Sequence, residues 1–194
     1  TGWRSINGEQ HYLHGRGAIG KEGNRTDITV NLKDTLPHYS FPNPPSGQIQ
    51  MEAIRASLAV LDIAPDRLTF PTLAAVYRAI LGPCTFSIHI SGQSGQGKSQ
   101  LAALAQQHFG KEMHADNLPA GWMNTGNATA ALAFHAKDAV LVVDDFVASG
   151  NASSQQRLHG EADKLLRAQG NSTGRRRLST EGKLGLNRPP RGLI

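Results

Sequence analysis

Residues 92–99 read Gly-Gln-Ser-Gly-Gln-Gly-Lys-Ser. Gly92, Gly97, Lys98 and Ser99 fill every fixed position of the phosphate-binding loop pattern G-x-x-x-x-G-K-[ST]. Glycines let the backbone curl until successive N–H groups point inward and form an anion nest. The positive end of a following helix faces the same point. Gly92, Gln93, Ser94, Gly95, Gln96, Gly97, Lys98, Ser99 and Gln100 are therefore the candidate nucleotide-binding residues. Lys98 is expected to reach the β- and γ-phosphates and act in catalysis, and the Ser99 hydroxyl to ligate Mg²⁺.

A second chemical landmark is Ala139-Val-Leu-Val-Val143-Asp144-Asp145. Five apolar residues in a row describe a strand buried on both faces, as in a parallel sheet. Two carboxylates are out of place in a core but natural at the carboxyl edge of such a sheet, where ligands bind. Alone the pattern is weak; downstream of a phosphate loop it reads as the metal-binding strand. Asp144 is the expected Mg²⁺ ligand beside Ser99, and Asp145 the residue that orients or deprotonates an attacking water.

Other elements must hold these two segments together. Phe86, Ile88 and Ile90 predict a strand into the loop, and Leu101-Ala-Ala-Leu-Ala105 a helix from about Lys98 to His108. Upstream, residues 1–47 read as short strands and turns, including Ile28–Leu32, and close on Pro42-Asn-Pro-Pro-Ser-Gly47. From Gln48 onward, Ile49, Ala53, Ala56, Val60 and Ile63 fall on one helical stripe. A second helix is expected to start near Pro71 and to end at Gly82-Pro83. Beyond the loop come a weak strand at Met113–Asp116, a helix over 128–136 capped by Asn127, the acidic strand, and a helix over about 154–168. Leu193-Ile194 look like the start of another buried strand. The expected division is a β-rich segment, 1–47, and an α/β unit, 48–194.

Bulk properties narrow the setting. The 194 residues are 39% hydrophobic and 18% charged, ordinary for a globular protein. No run of some 18 apolar residues predicts a membrane span, so no membrane partner is expected. The first residues lack signal-peptide character. The single cysteine, Cys84, fits a reducing cytoplasm and reads as a buried structural thiol. His11, Tyr12 and His14 lie close in sequence, but without Cys or acidic ligands at fixed spacing they argue poorly for a metal site. Net charge is +5, and residues 157–194 hold nine Lys/Arg against three Asp/Glu. That local excess suggests an anionic partner, against the plainer alternative of a solvated basic surface.

Strand, loop, helix, weak strand, helix, acidic strand, helix and incipient strand form a βαβ series. The fold expected is an α/β P-loop NTPase: a parallel sheet flanked by helices, with an additional strand between the loop strand and the acidic one, as in RecA-like, AAA+ and superfamily III helicase proteins. The chain resembles an uncharacterised bacterial family of helicase-like ATPases found on phage, plasmid and integrative elements, often beside primase modules. The likeness is carried by Gly92–Ser99 with Leu101–Leu104, by Leu118–Trp122 with Thr125–Asn127, by Ala136–Phe146, and by Leu166–Asn171 with Gly174–Leu178. The resemblance implies ATP and Mg²⁺ as ligands, hydrolysis coupled to work on DNA, and a homo-oligomeric ring. Thr129-Ala130 depart from the acidic residue such sequences carry there. A sensor strand is expected past Ile194, so the chain reads as truncated at its C-terminus, and the 194 residues alone as a poor ATPase. Arg176, within Arg175-Arg176-Arg177, is the candidate arginine finger; the same run could instead contact DNA phosphates or be an exposed basic turn. A nucleotide-dependent switch or assembly ATPase and a small-molecule P-loop kinase remain alternatives to the motor.

Overall fold

The structure, a computed structural model, describes residues 1–147, 150–174 and 186–194. It opens with four antiparallel strands in sequential order: β1 (Gly2–Ile6), β2 (Glu9–His14), β3 (Gly17–Gly20) and β4 (Gly23–Arg25). The first hairpin turns on Asn7-Gly8, both at positive φ, the chemistry that a two-residue turn between twisted strands selects. Ile28–Leu32, expected as a strand, joins no ladder. The meander is tied to the rest of the chain at Asp138. Tyr12 donates its hydroxyl to the Asp138 carbonyl at 2.7 Å, and the Trp3 amide donates to the Asp138 carboxylate at 2.9 Å.

Helix α1 (Gly47–Leu58) gives way to a 3-10 turn at Ala59–Asp62. The predicted stripe is only partly used: Val60 is buried, while Ile49 stays 66% exposed and Ile63 56%. Helix α2 (Asp66–Ile80) starts one turn before the expected Pro71, with Pro65 as its N-cap, so Pro71 lies inside it. The Arg78 guanidinium closes its far end by donating to the carbonyls of Gly82 and Pro83. Its buried face, Thr72, Leu73, Ala75, Val76 and Ala79, packs on α3 (Lys98–Gln107). Then come β5 (Ala120–Gly121), α4 (Gly126–His135), β6 (Val143–Asp144) and α5 (Ala152–Gly170). Helix α4 is capped by Thr125, whose hydroxyl accepts the Ala128 amide, rather than by Asn127. Alanines 75, 79, 105, 133, 136 and 139 let these elements approach closely around Tyr39, Phe109, Met113, Leu141 and Leu193.

The expected P-loop NTPase architecture is not formed. No extended parallel sheet runs through the described residues; parallel pairing amounts to β5 with β6 and one bridge, Val140 with Leu193. The weak strand predicted at 113–116 is absent, and Phe86–Ile90, predicted as the strand into the loop, belongs to no ladder. The physical reason lies in which atoms satisfy the buried backbone. Gln106, fully buried on α3, donates to the Val140 carbonyl (3.1 Å) and accepts the Val142 amide (2.8 Å). The Tyr39 hydroxyl donates to the same Val140 carbonyl at 3.0 Å. Gln169 on α5 likewise donates to the carbonyls of Cys84 and Gly192. Side chains occupy hydrogen-bonding positions that a neighbouring strand would otherwise take, which meets the requirement that buried backbone groups be paired without a wide sheet.

Candidate functional site

The glycine loop leads into α3 as the motif demands. Gly95 and Gly97 stand at φ 79° and 75°, the left-handed region that favours glycine, and a side chain at either would meet nothing within 4 Å. Gly97 is the N-cap, and no side chain caps the helix. The first intrahelical bond runs from the Leu101 amide to the Gly97 carbonyl at 2.9 Å. The first-turn N–H groups are therefore left for an anion or water, at the positive end of the helix dipole. Lys98 folds back and donates to the Gln93 carbonyl at 2.7 Å, which ties the ammonium to the loop's own backbone. Residues 92–97 and Gln100 are exposed, and Lys98 and Ser99 are half-buried.

The acidic pair reaches the same place from the other side. Gly121 pairs with Asp144 in the β5–β6 ladder, and the Trp122 amide donates to the Asp144 carbonyl at 2.9 Å. Asp145, one residue beyond the ladder, is exposed and takes φ 63°, with its carbonyl accepting the Val147 amide. An aspartate tolerates that conformation better than most residues, and its appearance directly after a strand turns the chain sharply.

Gly92, Ser94–Gln100, Asp144 and Asp145 all line one cleft of about 980 Å³. Gln93 is bound to it through Lys98. The volume is at the upper end of what a small-molecule pocket encloses. Trp122 and Phe146 form another part of the wall, edge to face at 5.4 Å, and Phe146 in turn meets the His159 ring at 5.4 Å. This aromatic group carried no recognisable spacing in the sequence. Gln106 carried a faint signal, since it lies one turn before buried Phe109 on the apolar side of α3. Arg176, with Arg175 and Arg177, lies outside the described residues.

The donor set fits the groups expected. Uncapped helix N–H groups, two open left-handed glycines and an ammonium suit a polyphosphate. A hydroxyl (Ser99) and a carboxylate (Asp144) are hard oxygen donors of the kind Mg²⁺ takes a few of while keeping its water. Among the described residues no group of three or more His, Cys, Asp or Glu could hold a metal by itself, so the cleft is not a closed metal cage.

The chain belongs to the family described as Domain of unknown function (DUF927), which it matches over residues 50–184. That span contains both the glycine loop and the acidic pair and leaves the four-stranded meander outside. Comparison with curated proteins and with solved structures found no match. Among the described residues, no helix is long and apolar enough to cross a membrane.

Proposed function

We propose that the chain binds ATP with Mg²⁺ in the cleft and hydrolyses it, as a helicase-like ATPase working on DNA in the cytoplasm and assembling as a homo-oligomeric ring. One observation carries the reading: two segments distant in sequence, Gly92–Ser99 and Asp144–Asp145, converge on a single cleft. In that reading the loop amides and Lys98 hold the triphosphate, and Ser99 and Asp144 would hold the metal, which when bound would supply charge neutralisation to the phosphates. Asp145 accepts a proton from the water that attacks the γ-phosphorus as the bond to the leaving ADP oxygen breaks. Its exposure and position past the ladder leave the carboxylate accessible from the cleft.

Equilibrium titration with a fluorescent ATP analogue, with and without Mg²⁺, tests binding. The expected result is Mg²⁺-dependent binding that Lys98→Ala weakens at least roughly tenfold and Asp145→Asn leaves intact. Phosphate release should fall in both variants, and rise in the wild type when single-stranded DNA is added. Absence of nucleotide binding, or binding indifferent to Lys98→Ala, refutes the proposal. Phosphate release only in the presence of a small acceptor would transfer the site to a kinase.

A further inference from the structure

Four cations from three separate stretches of chain meet on one face. Arg4, on β1, and Lys137, after α4, both donate to the Trp3 carbonyl. Arg188 and Arg191 both sit over the Phe134 ring, at 5.8 and 3.8 Å from its centre. The backbone knits these pieces together, because the Arg191 amide donates to the Ala133 carbonyl and the Asp138 amide to the Arg191 carbonyl. One buried carboxylate, Asp138, stands among them, and it is taken by Lys137 at 3.0 Å and by the Trp3 amide. Among the described residues Arg4, Arg188 and Arg191 have no carboxylate partner. Burial first, and then the charge of Arg4, lower the Arg191 pKa, while Asp138 acts in the opposite direction. With Asp138 as their one carboxylate, the four cations keep an excess of positive charge that attracts a polyanion. Trp3 adds a flat apolar surface: its indole N–H is fixed to the Ile80 carbonyl and its ring to Tyr12, yet it remains 37% exposed. Basic side chains flanking an exposed aromatic ring are the combination that takes an unpaired nucleic-acid strand, the cations on phosphate and the ring on a base.

We infer that the face of Trp3, Arg4, Lys137, Arg188 and Arg191 is a docking surface for the backbone and bases of single-stranded nucleic acid. The inference rests on the nucleic-acid half of the function proposed above and assigns it a place. That place adjoins the cleft through the chain itself: two residues past Arg191, Leu193 bonds to both Ala139 and Leu141, and Ile194 accepts the Ile88 amide.

The test is fluorescence anisotropy of a labelled oligothymidylate with the 194-residue chain, without nucleotide, across a salt series. Arg4→Gln combined with Arg188→Gln should lower the slope of log K against log [salt] by about 1.4, two phosphate contacts at about 0.7 each on a single strand. Trp3→Leu should weaken binding roughly fivefold or more at fixed salt, and Trp3→Phe should restore most of it. Lys98→Ala should leave all of these values unchanged, so that failure of the ATP site and failure of this face are read separately. An unchanged slope in the arginine variant, indifference to Trp3→Leu, tighter binding of duplex than of single strand, or binding only to anionic vesicles overturns the inference.

Discussion

Gln106 offers the sharpest test of how the cleft is held open. Its amide bridges α3, the helix of the glycine loop, to residues 140–142, the approach to Asp144-Asp145. Gln106→Ala removes two hydrogen bonds, worth about 1 kcal/mol each, and leaves the Val142 N–H without its partner, for a total of about 2–3 kcal/mol. Tyr39→Phe removes only one of two donors to the Val140 carbonyl and should cost about 1 kcal/mol. The two substitutions share an acceptor, so the double variant strips that carbonyl completely and should exceed the sum of the singles by about 1 kcal/mol. Urea titration of wild type, both singles and the double measures all four corners of the cycle, and the Gln106→Ala loss should also appear as a fall in Tm of about 4–10 °C. A Gln106→Ala cost below about 1 kcal/mol, or strict additivity in the double, would show that side chains do not stand in for a strand here.

Asp145→Gly should leave stability within about 0.5 kcal/mol, because relief of the positive φ offsets the entropy glycine gains on unfolding, while phosphate release is lost. Chemical denaturation and a phosphate assay on the same preparation read the two effects apart. His14, buried, accepts the Phe41 amide on Nδ1 at 3.2 Å, and burial followed by the charge of Arg16 lowers its pKa below 6.5. Since the fold favours the neutral ring, its contribution is intact above pH 6.5 and is lost as pH falls through 6.5 towards the lower folded-state value. Urea midpoints between pH 7.5 and 5 should drop more in wild type than in His14→Asn. A side chain at Gly192 would clash with the carbonyl oxygens of Ala136 and Ala139. Gly192→Ala should therefore cost about 2 kcal/mol or more, read by thermal unfolding.

The parts of the site legible in the sequence were those whose chemistry is local. Glycines ahead of a helix start announced a curled backbone, and Gly95 and Gly97 take left-handed conformations. The run Ala139–Val143 announced a strand buried on both faces; Ala139, Val140 and Leu141 are buried, but Val142 and Val143 are half-buried and the strand is confined to Val143–Asp144. A run of apolar residues does not say which atoms receive its backbone hydrogen bonds, and Gln106 and Tyr39 took positions that a ladder was expected to fill. Periodicity misled in a similar way at α1, where an apolar stripe exists but Ile49 faces solvent. Pro71 looked like a helix start because proline favours a first turn, yet Pro65-Asp66 began the helix earlier. Arg4, Lys137, Arg188 and Arg191 are scattered along the chain, and only the tertiary fold makes them neighbours.

The seating of Leu193 and Ile194 has a kinetic side. The Ile88–Ile194 and Leu141–Leu193 hydrogen bonds join residues far apart along the chain, and contacts of that kind close late because the loop entropy must be lost first. The helices can form on local interactions well before the cleft acquires its geometry. Amide exchange should therefore divide the molecule into two time classes in refolding: α2 and α3 protected early, and the amides of Ile88 and Leu141 protected only with the final phase. Simultaneous protection of both sets in a pulse-labelling experiment would argue against that order. With it, the nucleotide binding proposed for the cleft becomes a reporter of completed folding rather than of secondary structure.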